Sequence, residues 1–276
     1  MRFLFLSRRG DIAPVAKRVQ AEGNEVWLAI QEPRGKRIYD GMLPKVPNLW
    51  AGLAKSPEIV VFDAVGQHHD WRTCMGKGIP CFGGSTLASV LELRKLEELV
   101  ACHGVLCANQ GAVSGTIELH VEILYSRGKP VYPASGRLVQ NRFLPGGQGA
   151  KTRGESWIVW NYAEQVPKIV QDTHLKIYPF LKDETFTGFL TMAVLIGHDG
   201  RPYFVRFAAR PSDDALFGHI ALLRGEIGKV LADAAKGQLG AMDADCKSLA
   251  CTLRVSTPPY PTETDVSYGN SMPGLR

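Results

Sequence analysis

The sequence predicts an α/β fold that has a mostly parallel sheet in its N-terminal part and an α+β arrangement after it. In the first hundred residues, short apolar runs alternate with segments of helical spacing, which is typical of strand–helix–strand units. From about Val113 the pattern changes to alternating apolar and polar residues, which indicates antiparallel strands. We therefore expect an N-terminal α/β domain over residues 1–103, a second domain over 104–245, and a C-terminal strand and tail over 246–276.

The N-terminal part alternates predicted strands with predicted helices. The strands are expected at Phe3–Ser7, Glu25–Ile30, Glu58–Phe62 and Ile79–Phe82. The helices are expected at Ile12–Gln20 and at Ser85–Cys102, where the Ser85 side chain can cap the first turn. Pro33–Pro47 is rich in glycine, proline and basic residues and indicates a long surface connection. This alternation predicts a parallel sheet that helices cover on both faces.

The second part is predicted to be antiparallel. Its strands are expected at Thr116–Tyr125, Pro130–Tyr132, Arg137–Phe143, Ser156–Trp160, Thr187–Ile196, Tyr203–Ala208 and Ser248–Val255. Its helices are expected at Glu164–Thr173, Asp213–Leu223 and Glu226–Lys236. The Asp199-Gly200 pair is a strong signal for a hairpin between the two strands that flank it. We expect the helices to lie on one side of these strands.

The composition is that of a folded protein, which we expect in the cytoplasm. Hydrophobic residues make up 45% of the chain and charged residues 21%, which excludes wholesale disorder. A net charge of +5 permits an anionic ligand but does not by itself indicate nucleic acid, and no stretch predicts a membrane span. The apolar run Met1–Leu6 is too short for a signal peptide. The six cysteines include no CxxC pair, so we expect reduced thiols and no metal site.

Two turns between a predicted strand and a predicted helix are candidate anion sites. The first, at the carboxyl end of a strand where open α/β sheets bind ligands, contains Ser7, Arg8, Gly10 and Asp11. The second, where paired glycines would let a phosphate approach the backbone, contains Gly83, Gly84 and Ser85. Ordinary turns remain the alternative for both, with exposed arginines in the first and a need for positive φ in the second. Neither a GxGxxG nor a GxxxxGK[ST] motif is present.

Two further candidates lie in the second part. Residues 127–153 contain six Lys and Arg and no Asp or Glu. A flexible, glycine-rich cationic loop suits a phosphorylated metabolite, and its candidate contacts are Gly149, Lys151 and Thr152. Few aromatic residues interleave with the cations, which argues against single-stranded nucleic acid, and a solvated surface loop is the alternative. After the hairpin, Arg210 and Asp213 either orient a ligand or form a surface ion pair at a helix N-cap.

The order of these segments resembles phosphoribosylamine–glycine ligase (glycinamide ribonucleotide synthetase), an ATP-grasp family, and especially its divergent phage-type versions. The clearest match is Gly78–Ser85, which is continued by Leu91–Lys95. Four further segments match in the same order: Ile59–Gly66, Gly149–Gly154, Gly188–Ala209 and Pro259–Pro261. The resemblance implies a Rossmann-like N-terminal domain, an ATP-grasp-like second domain, ATP and Mg²⁺ as cofactors, and a role in purine nucleotide or viral DNA-modification metabolism.

Three departures from the family predict that its standard chemistry is lost. Only nine residues separate Val105 from Gly115, where the family carries a nucleotide-binding lid, and they span at most ~30 Å. The metal-binding Glu-x-Asn of the family aligns with Arg206–Ala208, which offers a cation and a methyl group in place of oxygen ligands. The family's Gly-Pro-Asn-Thr-Gly loop corresponds to Gly149–Arg153, which keeps only the first glycine and the threonine.

Three functional hypotheses remain open. In the first, the protein is a reduced relative of the family, which binds a phosphorylated metabolite or nucleotide in a cleft between its two parts and needs no cofactor. In the second, it is an active ATP-dependent carboxylate–amine ligase that holds ATP and Mg²⁺ differently or with a partner chain. In the third, it is a non-catalytic interaction protein or homo-oligomer whose partner covers the face that lacks a lid. No catalytic residue can be assigned from the sequence.

Overall fold

A computed structural model of the protein describes residues 1–93, 96–108, 115–144, 148–164, 166–211 and 215–255. Within these residues the chain forms one parallel and one antiparallel sheet. The parallel sheet contains β1 (Arg2–Ser7), β2 (Glu25–Ile30), β3 (Ile59–Phe62) and β4 (Cys81–Phe82). Its spatial order is β2–β1–β3–β4, and each neighbouring pair is parallel. The predicted α/β class is therefore confirmed.

Helices pack around both sheets. In chain order they are α1 (Ala13–Ala21), α2 (Leu49–Leu53), α3 (His68–Gly76), α4 (Thr86–Leu93), α5 (Glu97–Cys102), α6 (Lys168–Asp172), α7 (His174–Asp183), α8 (Ala215–Leu222) and α9 (Ile227–Lys236). In the described ranges, none of them combines the length and the apolar character that crossing a membrane requires. The predicted surface connection holds a 3₁₀ turn at Pro33–Gly35 and also two buried side chains, Leu43 and Val46.

The parallel sheet is covered on both faces, as predicted, but one of its covering helices comes from the far end of the chain. Alternate residues of β1 point to opposite faces, so that Phe3 packs with α1 and α9 while Leu4 packs with α2 and α3. The Glu22 carboxylate of α1 accepts hydrogen bonds from the backbone N–H groups of Ile227 (3.0 Å) and Gly228 (2.8 Å). These contacts satisfy the first turn of α9 and fix it against the sheet.

The antiparallel sheet contains the second part of the chain. Its strands are β5 (Gly115–Ser126), β6 (Lys129–Leu144), β7 (Gln148–Asn161), β8 (Gly188–Gly197), β9 (Pro202–Ala208) and β10 (Leu249–Leu253), in the spatial order β10–β7–β6–β5–β8–β9. The predicted β8–β9 hairpin is confirmed. One face is apolar and packs on α4 to α7 through Val121, Met192 and Val194. The opposite face carries polar and charged side chains.

The interpretation of residues 127–153 as a flexible cationic loop is wrong, whereas the strands predicted at Pro130–Tyr132 and Arg137–Phe143 are confirmed as parts of β6. The described residues of this segment form β6 and the beginning of β7, which pair from Ser135–Asn161 to Leu144–Gln148. Cross-strand pairs such as Leu138–Ile158 and Val139–Trp157 hold the strands together despite the charges between them. Arg137 is only 6% exposed, so the alternative of a solvated surface loop does not hold for this residue.

Two predictions about helices are also wrong. The helix expected over Ser85–Cys102 is two helices, because the backbone at Leu96 leaves helical geometry at φ −107° and ψ 24° before α5 begins. The helices do not all lie on one side of the antiparallel sheet. Helix α8 packs on the polar face, where a Cβ on Gly218 would lie 3.0 Å from Val159 Cγ2. Glycine at that position therefore lets α8 approach the sheet closely.

Candidate functional site

A cavity of about 380 Å³ opens on the polar face of the antiparallel sheet. Strands β5 to β9 and the residues just after β9 supply its walls, with Trp157 and Phe207 as the aromatic ones. Its polar lining consists of Glu118, His120, Arg137, Asn141, Thr152, Thr191, Arg206 and Arg210. Among the lining residues that the structure describes, three are arginines and one is a carboxylate, so the cavity favours an anion.

Strand β5 places three of the charged groups by simple alternation. Glu118, His120 and Glu122 are two residues apart and therefore project from the same face of the sheet. Pairing sets His120 directly opposite Arg137 on β6 and opposite Ala193 on β8. Arg206 on β9 is opposite Ala193 on its other side. The small alanine leaves room for the Arg206 side chain to cross over β8 toward β5.

These side chains form one hydrogen-bonded chain, which we call the polar network. Arg206 Nη1 donates to Glu118 Oε1 at 2.8 Å, and His120 Nε2 donates to the same oxygen at 2.9 Å. Arg137 Nε donates to His120 Nδ1 at 3.1 Å. Because Nδ1 accepts this bond, the imidazole is neutral and carries its proton on Nε2. Burial lowers the pKa of His120, which agrees with this assignment, and the bond from His120 helps to lower the pKa of Glu118 to about 2.

Glu122 is the buried end of the polar network. Its side chain is 3% exposed, and it accepts a hydrogen bond from Thr191 Oγ1 at 2.7 Å. Arg137 Nη1 lies 4.0 Å from its carboxylate, and His219 Nε2 of α8 lies 3.1 Å away without hydrogen-bond geometry. Burial opposes ionisation, but these neighbours outweigh it and lower the pKa of Glu122. Because burial lowers the pKa of His219 as well, Arg137 is the cation that compensates Glu122 at neutral pH.

The donor set does not fit a divalent metal. Arg206 offers a cation where a metal would need an oxygen ligand, and it already pairs with Glu118. Ala208 lines the same wall and has no ligand atom. In the part of the chain that the structure describes, no group of three His, Cys, Asp or Glu side chains is arranged to hold a metal ion. No step that runs through a metal can therefore be derived from these residues.

Of the sequence-predicted site residues, Thr152 and Arg210 line this cavity. Gly149 lies at the beginning of β7, where its carbonyl oxygen accepts a hydrogen bond from Arg142 Nη1 at 2.9 Å. Lys151 belongs to the same strand, but its side chain is outside the described residues, and Asp213 is outside them altogether.

The first predicted turn lies elsewhere, and it already holds an anion that belongs to the protein. The buried carboxylate of Asp63 accepts hydrogen bonds from the Ser7 hydroxyl and from the backbone N–H groups of Arg8 (3.0 Å) and Ile12 (3.2 Å). Gly10 N–H donates to Ser7 Oγ at 2.7 Å. Burial raises the pKa of Asp63 to about 6, against the opposing effect of these hydrogen bonds. The turn is thus closed around an internal carboxylate.

The other charged groups of that turn point to its outer side. Arg8 Nε and Arg9 Nε donate to the two oxygens of Glu32, at 2.9 and 3.1 Å. Asp11 is exposed. None of these residues lines the 380 Å³ cavity.

The second predicted turn connects the two sheets. Gly83 and Gly84 have φ values of +74° and +71° and lie against Phe62, and Gly83 N–H donates to the Thr187 carbonyl oxygen at 3.2 Å. Ser85 Oγ accepts a hydrogen bond from Ala88 N–H at 3.2 Å, which confirms the predicted cap. Ser85 also lines a second cavity, of about 660 Å³, between the two sheets. The predicted contacts that the structure describes therefore lie in separate places: Thr152 and Arg210 line the 380 Å³ cavity, Ser85 lines the second cavity, and the first turn lines neither.

Replacing Gly83 with alanine should cost more stability than the same change at Gly78. Both glycines have positive φ, +74° and +72°, so each change carries a backbone cost of about 1–2 kcal/mol. Only at Gly83 would the new Cβ meet backbone, at 2.6 Å from the Phe62 carbonyl oxygen, whereas Gly78 faces open space. We expect about 2 kcal/mol of additional destabilisation for Gly83→Ala in urea unfolding. Equal losses for the two variants would show that the turn does not need close approach.

Comparison with known proteins rests on the fold, because no family profile and no curated protein matches the sequence. Phosphoribosylamine–glycine ligase of Thermotoga maritima superposes with a TM-score of 0.71 at 13% identity, over 95% of this chain and 82% of that one. N5-carboxyaminoimidazole ribonucleotide synthetase of the same organism gives 0.58 at 12%, over 88% and 78%. Pyruvate carboxylase of Rhizobium etli gives 0.64 at 13%, over 92% of this chain and 26% of that one. The chain has the ATP-grasp fold.

The ATP-grasp fold does not by itself identify the contacts of this cavity. Sequence reasoning missed the Glu118–His120 pair and Arg137, which with Arg206 form most of the polar network. A signal for the first two was present, since charged or polar residues recur at every second position along a strand whose other positions are apolar. The sequence pattern contains no comparable signal for the strand register that places Arg137 opposite His120.

Proposed function

We propose that the protein binds a phosphorylated small molecule in the 380 Å³ cavity and does not perform the Mg-ATP-dependent ligation that the family resemblance implies. The observation that carries the proposal is the charge of the lining. Among the lining residues that the structure describes, the guanidinium groups of Arg137, Arg206 and Arg210 face one carboxylate, that of Glu118. Guanidinium groups form paired, charge-assisted hydrogen bonds with phosphate oxygens. The second support comes from the family resemblance, which aligns Arg206 with a metal-binding carboxylate, whereas the Arg206 side chain is a cation paired with Glu118.

The polar network suits this role because it fixes the arginines before a ligand arrives. Arg137 is held by His120 and Glu122, and Arg206 is held by Glu118. Side chains that are already ordered lose little conformational entropy on binding. The Thr152 hydroxyl and the Asn141 amide offer further hydrogen bonds, and the aromatic walls offer an apolar surface for a base or another ring.

The second candidate is an active ATP-dependent carboxylate–amine ligase. It is favoured by one observation, the superposition on a ligase over 95% of this chain. Mg²⁺-dependent release of phosphate from ATP, in the presence of a carboxylic acid and an amine acceptor, would establish it and would contradict the first proposal. No release across a panel of acids and amines would count against it.

Titration calorimetry with ribose 5-phosphate, AMP and ATP in the absence of Mg²⁺ tests the binding proposal. At least one of these compounds should bind, and Arg210→Ala or Arg206→Ala should weaken its binding by about tenfold or more, because each change removes a charged hydrogen-bond donor. Lys151→Ala tests the sequence-predicted cation on β7 in the same way. Arg224→Ala is the matched control, since its exposed pair with Asp245 lies outside the cavity lining. Unchanged affinity in the Arg206 and Arg210 variants would reject the site.

A further inference from the structure

We infer that the protein has a second ligand site, a cavity of about 660 Å³ between the two sheets, and that its ligand is an amphipathic organic anion. The cavity is bounded by the end of α3, by β4, by the residues that begin α4, by the β5–β6 turn and by the connection between α7 and β8. It shares no lining residue with the 380 Å³ cavity among the described residues. The inference therefore stands or falls independently of the proposed function.

One wall of this cavity is apolar. It consists of Trp71, Met75, Ile79, Pro80 and Leu87. The Met75 side chain is 44% exposed, although it lies next to an indole ring that is itself only partly buried. When an apolar group covers apolar surface that lies open inside a cavity, the free energy falls, because both surfaces leave water. This wall therefore fits the hydrocarbon or aromatic part of a ligand.

The same cavity also has a cationic part, which consists of the side chains of Arg72 and Arg127. Neither guanidinium group has an ion-pair or hydrogen-bond partner among the described residues, whereas Arg8, Arg137 and Arg206 are all paired. The one carboxylate in the described lining is Glu184. Cations without partners beside an apolar wall favour a ligand that carries an anionic head group on an apolar body.

Two residues other than glycine that have positive φ values, Arg127 and Thr185, also line this cavity. Arg127 and Gly128 form the two-residue β5–β6 turn with φ values of +45° and +76°, a geometry that favours Asn or Gly at the first position. Thr185, just after α7, has φ +50°, which is a rare conformation for a β-branched residue. Arg127 and Thr185 thus place strained backbone in the wall of the cavity. Strained backbone of this kind concentrates at functional sites, where the side chain is needed for another purpose.

The Arg127 side chain packs beside a specific neighbour. A Cβ added to Gly237, the residue that ends α9 at φ +78°, would lie 2.7 Å from Arg127 Cδ. The aliphatic part of this exposed arginine therefore lies across the glycine, and its guanidinium group remains open to a ligand.

Two fluorescent probes with the same kind of apolar body test the inference. 1-Anilinonaphthalene-8-sulfonate carries an anionic head group, and N-phenyl-1-naphthylamine does not. We expect the sulfonate to bind the wild-type protein and its affinity to fall at least fivefold in Arg72→Gln and in Arg127→Asn. The affinity of the neutral probe should change less than twofold in these variants. Trp71→Ala should weaken both probes, because it removes part of the apolar wall.

Arg127→Asn separates a binding role from a structural one. Asparagine is favoured at the first position of this turn, so the variant should unfold at a temperature at least as high as the wild type while it binds the sulfonate more weakly. Arg224→Gln is the control arginine and should leave both affinities unchanged. The inference is overturned if the wild type does not bind the sulfonate, or if Arg72→Gln and Arg127→Asn bind it as tightly as the wild type and the control do.

Discussion

Replacing Glu122 with glutamine should lower the free energy of unfolding by about 3–5 kcal/mol. The carboxylate is buried on the polar face of the antiparallel sheet, 4.0 Å from the buried Arg137 guanidinium group. Glutamine keeps the shape but removes the charge, so that the attraction between the buried Arg137 guanidinium group and Glu122 is lost while both side chains stay buried. The hydrogen bond from Thr191 would persist only if the amide oxygen faced it. Urea unfolding of the two proteins at pH 7 measures the difference.

Glu58→Gln is the matched control for this change. Glu58 pairs with Arg2 at 3.9 Å on the surface, with both side chains close to half exposed, so its loss should cost no more than about 1 kcal/mol. A similar small loss in both variants would mean that Glu122 does not compensate Arg137. It would also remove the argument that the polar network positions the arginines of the cavity.

The stability of the protein should fall between pH 4 and pH 7 because of Asp63. The folded protein raises the pKa of this carboxyl group from 3.8 to about 6, so folding favours its protonated form. The stability that it contributes is fully present below about pH 4 and is lost as the pH rises through about 6. This shift corresponds to about 3 kcal/mol over the whole interval. Urea unfolding at several pH values measures it.

Asp63→Asn isolates this effect, because asparagine does not titrate. From pH 4 to pH 7 the wild type should lose about 3 kcal/mol of unfolding free energy relative to this variant. Asp233→Asn, which removes a partly exposed carboxylate paired with Lys229, should show no such trend. A constant difference for Asp63→Asn would indicate that the backbone N–H groups of the first turn hold the carboxylate ionised at its ordinary pKa.

Most of the fold followed from local patterns, whereas most of the site did not. Alternation along β5 and the turn signal between β8 and β9 are properties of contiguous residues, so the sequence shows them directly. The polar network depends on register, since His120 meets Arg137 across two strands and Arg206 reaches Glu118 from a strand 88 residues further along the chain. Contacts between residues so far apart in the sequence are set by the tertiary fold, and no local pattern predicts them.

The first turn shows a different limit. Ser7, Arg8 and Gly10 have the residue types of an anion-binding turn, and they do surround an anion. That anion is Asp63, which comes from the end of β3 in a neighbouring part of the sheet. The sequence predicted the chemistry of the turn but could not show that the protein itself supplies the negative charge.

The position of α9 has a consequence for biosynthesis. A ribosome that has delivered all four parallel strands has not yet delivered the helix that covers one of their faces, and the Glu22 carboxylate must wait for Ile227 and Gly228. The newly made N-terminal part therefore exposes apolar surface until residues 227–236 have emerged. Such late closure slows folding and increases the need for chaperones during translation.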